Sequence, residues 1–397
     1  MSMTLLPPIF IVALAMLLPV AAVSGWFLGR RNSERSRRAG VSELSSSYFR
    51  GLNYLLNEQP DKAIEVFLKL AEFNRDTVET HLALGNLFRR RGEVDRAIRV
   101  HQHLIARPNL SNEEKTIALL ELGEDYMRAG LLDRAEALFT DLVALEARAP
   151  SALKHLIGIY QQERDWHKAI DHARRLERLG GDSQGTVIAH YYCELADQAR
   201  MRHDREGARR ALADAFMAEP ECVRGTLIEG RLALDAGDPT GALAAFHRVV
   251  ERDLEFVPEL LGPTLACYEK LGDPHGAREF LRGLIDRYPG ISPVLALTRI
   301  VERGDGDRAA IALLTRELGK RPSVRGLAAL IGLSLKSVEG EARDNLLILD
   351  ELTRKLLAGQ AIYRCTRCGF GARAHHWQCP SCKSWGSVKP IHGVAGD

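Results

Sequence analysis

A dominant charge is missing from this sequence. Its 54 Lys and Arg stand against 52 Asp and Glu, a net charge of +2 over 397 residues. The chain as a whole therefore carries no footprint for nucleic acid or another polyanion. Aromatics are scarce at 6%, while Ala, Leu, Arg and Glu are abundant, a balance that favours helix over strand. Seven cysteines, odd in number and unevenly spaced, argue against a disulfide framework and for a reducing compartment such as the cytosol. Catalytic signatures are lacking too. There is no Gly-rich phosphate loop, no His-Glu-x-x-His and no Gly-x-Ser-x-Gly turn. GDGDRA at Gly304 reads as a turn between helices. The expectation is a binding protein rather than an enzyme. A chain of 397 residues is too long for one small core, so two or more folded units are expected.

Charge is also missing from the first 29 residues, which precede Arg30. The run IFIVALAMLLPVAAVSGWFL from Ile9 to Leu28 spans about 30 Å as a helix, the thickness of a bilayer's hydrocarbon core. Trp26 stands where an interfacial aromatic belongs, and RRNSERSRR follows. Positive charge stays on the cytoplasmic side. Residues 1–29 thus read as a single-pass anchor, 30–44 as a basic juxtamembrane linker, and the bulk of the chain as cytoplasmic. The competing reading is a cleaved signal peptide, with Ala22-Val23-Ser24 as its cleavage site. It lacks a charged leading region and has its charge on the wrong flank.

From residue 45 to 359 the chain repeats itself. A Gly is followed three residues later by an aromatic, twelve later by Ala, and sixteen later by Phe. Gly51, Tyr54, Ala63 and Phe67 form the first set. Gly85, Phe88 and Ala97 follow 34 residues on, then Gly123, Tyr126, Ala135 and Phe139. Gly230, Ala242 and Phe246 recur without the aromatic. Weaker units are marked by Tyr160 and Ala169, by Ala196, Ala208 and Pro220, by Tyr268, Ala277 and Pro289, and by Ala310 and Pro322. A last pair, about 324–357, has lost the signature, as a capping repeat does. Eight or nine helix pairs are expected. The period and pattern resemble the tetratricopeptide repeat. The small residues let two helices approach, and the aromatics fill the space towards the next unit. Turns such as AGDPTGA and LGDPHGA offer Gly to end one helix and Asp to cap the next. These are packing residues, and the function of such an array is a surface for peptides or partner proteins.

The tail reads YRCTRCGFGARAHHWQCPSCKSWGSVKP. Cys365, Cys368, Cys379 and Cys382 form two Cys-x2-Cys pairs, and two such turns complete a thiolate tetrahedron for one Zn or Fe ion. Gly369 suits a left-handed turn after the first pair, whereas Lys383 replaces Gly after the second. Phe370, Trp377 and Trp385 are expected to supply a miniature core, with His375 and His376 at the surface. Four thiolates leave no open metal position for catalysis. Five Lys or Arg from residue 360 onward are too few for a phosphate-binding stripe. The isolated Cys193, Cys222 and Cys267 read as small core residues.

The order of parts carries a further resemblance. A short anchor ending LPVAAVSGWFLGRR is followed by repeats containing LGNLFRRRGEVDRAIRVHQ, then by a rubredoxin-type ribbon with YRCTRCGF and CPSCKSWGSVKPI. Over essentially all 397 residues this resembles the lipopolysaccharide assembly protein B family. The resemblance implies an all-α tetratricopeptide superhelix with one N-terminal transmembrane helix and a ribbon over 360–397. It implies a single-pass protein of the bacterial inner membrane. Its role would be that of an adaptor promoting degradation of the lipid A pathway's committing deacetylase by the membrane AAA+ metalloprotease. A further inner-membrane protein would antagonise it. Self-association is compatible with such an array. No catalytic residue carries over, and Cys365, Cys368, Cys379 and Cys382 match the family's metal ligands. Two other readings compete. One is an electron-transfer protein with iron in the ribbon, and the other a scaffold for nucleic acid.

Overall fold

The computed structural model describes residues 49–397 apart from 52, 55, 56, 58, 74–77, 147, 181 and 395. The anchor and linker expected over residues 1–44 lie outside these. Among the described residues no helix is long and apolar enough to cross a membrane.

The chain divides into two compact units, one ending at Glu163 and one beginning at Arg164. The first contains α1 (Pro60–Phe73), α2 (Val78–Arg91), α3 (Val94–Ile105), α4 (Asn112–Arg128), α5 (Leu132–Ala144) and α6 (Ala149–Glu163). The second begins with α7 (Trp166–Arg178), α8 (Gly185–Met201), α9 (Arg205–Ala218), α10 (Val223–Asp235) and α11 (Pro239–Arg252). It continues with α12 (Val257–Leu271), α13 (Pro274–Arg287), α14 (Ser292–Asp305), α15 (Asp307–Lys320), α16 (Val324–Ser334) and α17 (Glu341–Ala358). Three short strands follow, β1 (Tyr363–Cys365), β2 (Gly371–Ala372) and β3 (Val388–Pro390). The ribbon that these strands form belongs to the second unit, with the helices before it.

Steric fit explains the repeat signature. A Cβ added at Gly123 would stand 2.5 Å from the ring of Phe139, and one at Gly230 would meet Phe246 at 2.5 Å. Each Phe therefore rests on the bare backbone of its own pair's first helix. Phe139 also stacks on His155 of α6 at 4.8 Å, so it fills the space to the next pair as well. The signature alanines from Ala63 to Ala310 are all buried at 4% exposure or less, as a packing role requires.

Two details depart from the expected pattern. In the second repeat His101, not Phe, lies over Gly85. Its Nδ1 is 2.6 Å from Asp125, whose carboxylate also accepts from Arg89 at 2.8 Å. A buried polar pair thus replaces an aromatic ring. The Asp caps also divide. Asp238 and Asp273 accept from the amides of Gly241 and Gly276 at 2.8 Å, where Pro opens the helix. In RGEVDRA and AGLLDRA the Asp lies inside the first turn, and Glu93 or Leu131 occupies the cap without a side-chain bond.

The same substitution should act in opposite directions at two glycines. Gly123→Ala forces a Cβ against Phe139 and should destabilise the chain, overpacking of about 1–3 kcal/mol exceeding a helix-propensity gain of about 1 kcal/mol. At Gly158 an added Cβ meets only the Met127 terminal methyl, at 4.0 Å, so Gly158→Ala should stabilise by about 1 kcal/mol. Denaturant midpoints of the two variants check this. Shifts of the same sign would contradict it.

Candidate metal centre

Two turns of equal geometry hold the four cysteines. β1 pairs antiparallel with both β2 and β3, in the order β2-β1-β3. Cys365 ends β1, where its amide donates to the Phe370 carbonyl at 2.8 Å and its carbonyl accepts from Gly369 at 2.9 Å. Cys379 repeats the pattern with Ser384 at 2.8 Å and Lys383 at 2.9 Å. Amides of Cys368 and Arg367 point at the Cys365 sulfur, and those of Cys382 and Ser381 at the Cys379 sulfur. Gly369 takes φ +78° and Lys383 φ +59°. The second turn thus keeps the hydrogen bonds of the first, and its non-glycine residue carries a left-handed strain of about 1–2 kcal/mol.

The donor set fits a tetrahedral ion. All four sulfurs lie within 4.8 Å of one another. Cys365 and Cys382 are 3.7 Å apart, as are Cys368 and Cys379. A tetrahedron with metal–sulfur bonds of about 2.3 Å has edges of about 3.8 Å. Deprotonation is prepared at part of the site. The Ser387 hydroxyl, 3.3 Å from Cys365, draws its thiol down to about 6, and the two amides assist. Burial pushes the Cys379 thiol up to about 11, so this ligand depends most on the metal's own charge to lose its proton. Both Zn and Fe suit four thiolates, and neither would keep an open position for a substrate.

The ribbon's two tryptophans do not fill its interior. The small core is Tyr363, Cys365, Ala372, Cys379 and Val388, with Phe370 against it. Trp377 and Trp385, expected there, face the helices instead. Trp377 stacks on Phe256 at 5.0 Å, and Trp385 on His190 at 5.0 Å. Trp385 also meets Trp166 and Tyr191 edge-on, at 6.2 and 5.9 Å. His375, expected at the surface, is wedged edge-on between Phe256, Tyr363 and Trp377. A two-knuckle ribbon has too little volume to bury two indoles, so they find their apolar surroundings on α7, α8 and the turn before α12.

Arg224, at the start of α10, organises this contact. It is 4% exposed. Its guanidinium lies 5.4 Å from the Trp377 ring and 5.7 Å from the Trp385 ring. It pairs with Glu194 at 2.7 Å and approaches Asp197 at 3.7 Å. Peripheral bonds extend the attachment. Tyr363 donates to Glu259 at 2.7 Å, Lys389 pairs with Asp253 at 2.7 Å, and His392 lies 3.1 Å from Glu255. Further along the chain, the Asp397 side chain accepts from Tyr288 at 2.5 Å and pairs with Arg325 at 2.7 Å. The isolated cysteines are buried as expected, and Cys193 and Cys222 lie 3.7 Å apart.

Arg224→Lys keeps the charge but loses the planar fork between two indoles. It should weaken ribbon attachment by about 2–4 kcal/mol, read as a red shift of tryptophan emission at denaturant levels the parent tolerates. Emission unchanged across that range would contradict it. Burial, together with the Arg224 charge, depresses His190 to about 3, and burial depresses His375 to about 4. Folded values below the unfolded one mean that stability is full above pH ~6.5 and is lost as pH falls towards 4, by about 1.4 kcal/mol per unit for each histidine. Their imidazole resonances should remain those of the neutral form at pH 5.5. Titration midpoints near 6.5 would contradict this.

Comparison with known proteins agrees with the geometry. A family model described as a rubredoxin metal binding domain matches residues 363–390. Tetratricopeptide repeat models match 80–113, 120–183, 193–254 and 227–291. Lipopolysaccharide assembly protein B of Escherichia coli K12 is 40% identical over 384 residues, covering 96% of this chain and 99% of its own. The Haemophilus influenzae protein of the same name is 34% identical over 387 residues, covering 95% and 98%. A solved structure, the C-terminal part of a TPR repeat-containing protein from Cytophaga hutchinsonii, aligns with a TM-score of 0.40 at 13% identity, over 67% of this chain and 99% of its own. With the repeats, the ribbon and near-complete coverage of two relatives in agreement, the chain belongs to the lipopolysaccharide assembly protein B family.

Proposed function

We propose that this chain is a non-enzymatic adaptor in lipopolysaccharide assembly, anchored in the bacterial inner membrane by residues 1–29 with its bulk on the cytoplasmic side. The observation that carries the reading is the coverage of its relatives. The match to proteins named for lipopolysaccharide assembly runs through the repeats and the ribbon alike, over 96% of the chain. The fold supports it, because tetratricopeptide arrays present surfaces to other proteins. The closed thiolate site supports it too, because a saturated metal holds structure rather than performing hydrolysis.

The finer reading is tethered delivery. The array binds the deacetylase that commits the lipid A pathway and presents it to the membrane AAA+ metalloprotease, while an inner-membrane antagonist acts through the anchor. Lipopolysaccharide synthesis is thereby held in balance with phospholipid synthesis. Confinement to the membrane plane raises the effective concentration of adaptor beside protease without any new contact. Cys365, Cys368, Cys379 and Cys382 hold one Zn or Fe ion whose contribution is to fold the ribbon, on the order of 10–16 kcal/mol in comparable peptides.

Deleting residues 1–29 tests the delivery step. The deacetylase should persist severalfold longer after synthesis is blocked, while the shortened adaptor remains folded and metal-loaded. An unchanged deacetylase half-life would contradict the tethering.

A further inference from the structure

Helix α17 is apolar on two sides. The side it turns towards α16 carries the half-buried Leu346 and Leu357 beside Asp350 and Thr353, both buried. Its outer side carries Ile348, Leu349, Leu352 and Leu356, each between 49% and 63% exposed. At 3.6 residues per turn these four fall within a sector of roughly 100°, the width of a core-facing stripe. The last helix of a repeat array ordinarily ends it with a polar outer face. This one ends with the face of a helix that still awaits its next layer.

Charge along the helix identifies what would cover it. Glu341 and Asp344 stand in the first turn, and Arg354 and Lys355 near the end. On the helical wheel Asp344 and Lys355 fall on the same edge of the stripe, within about 20° of each other. Two such helices crossing antiparallel near Leu349 would bring Asp344 of each beside Lys355 of the other, while Ile348, Leu349 and Leu352 interdigitate at the crossing. A parallel pair would oppose like charges. Lys355 now pairs with Glu351 at 2.7 Å, with both side chains well exposed. Exposed pairs of this kind are worth at most about 1 kcal/mol, so the exchange of partner costs little.

We propose that the stripe Ile348, Leu349, Leu352 and Leu356 on α17 is a self-association surface, and that its occupant is α17 of a second copy of this chain in antiparallel, two-fold orientation. An isologous contact of this kind closes on itself, so it yields a dimer and no filament. Its pattern of charge also selects against other apolar helices.

Sedimentation equilibrium of the full-length chain in density-matched detergent tests the surface. The parent should show a concentration-dependent dimer. Leu352→Glu, a change at an exposed position, should raise the dissociation constant about tenfold or more. Asp344→Lys alone should also weaken the dimer. Combining it with Lys355→Asp in the same chain should restore the dimer, which excludes misfolding as the cause. A chain that is monomeric throughout would overturn the proposal. So would a dimer indifferent to all three variants, since it would be held elsewhere. A monomer in which Leu352→Glu makes residues 1–48 newly sensitive to protease would also overturn it, by assigning the stripe to the chain's own amino-terminal segment.

Discussion

The guanidinium of Arg224 is the constraint on which the second unit depends. It is a buried cation with carboxylates on one side and two indole rings from the ribbon beside it. Removing it from water is costly unless every neighbour is in place. Glu194 and Asp197 supply the countercharge from α8, and Trp377 and Trp385 supply π-faces from the far end of the sequence. The indoles in turn need Phe256, His190, Trp166 and Tyr191 for their outer faces. The metal knuckles fix where both tryptophans stand. Metal, ribbon, arginine and helices are therefore conditions on one another.

Much of this protein is legible in its sequence. The repeat signature records a short-range steric fact, a ring over a missing Cβ, and Gly123 with Phe139 shows it directly. Cys365, Cys368, Cys379 and Cys382 declare themselves because two residues between thiolates is a local geometric requirement. The contact between the two parts was not legible. Arg224 in the first turn of a repeat helix looks like any solvated arginine, and nothing within its own helix marks it. Trp377 and Trp385 read as ribbon core because a sequence shows which residues are apolar but not which body buries them. The burial of His375 among Phe256, Tyr363 and Trp377 is hidden for the same reason. His101 had a signal, since it stands sixteen residues after Gly85, where Phe67 and Phe139 follow Gly51 and Gly123.

For a tetratricopeptide array this integration has a physical consequence. A ribbon on a flexible stalk would add a mobile binding module. A ribbon fused through a buried ion cluster instead stiffens the helix pairs around it, so that a surface presented to a partner protein keeps its shape. Pre-organisation of that kind lowers the cost of binding without adding contacts.

Through these contacts the ribbon and the helices from α8 to α12 form one cooperative unit. Native-state hydrogen exchange at rising, sub-denaturing levels of urea tests it most directly. The amides of Cys365, Cys379 and Val388 should converge with those of α8 and α10 on a single opening free energy. Ribbon amides that exchange through a separate, lower-energy opening while α8 and α10 remain protected would contradict it.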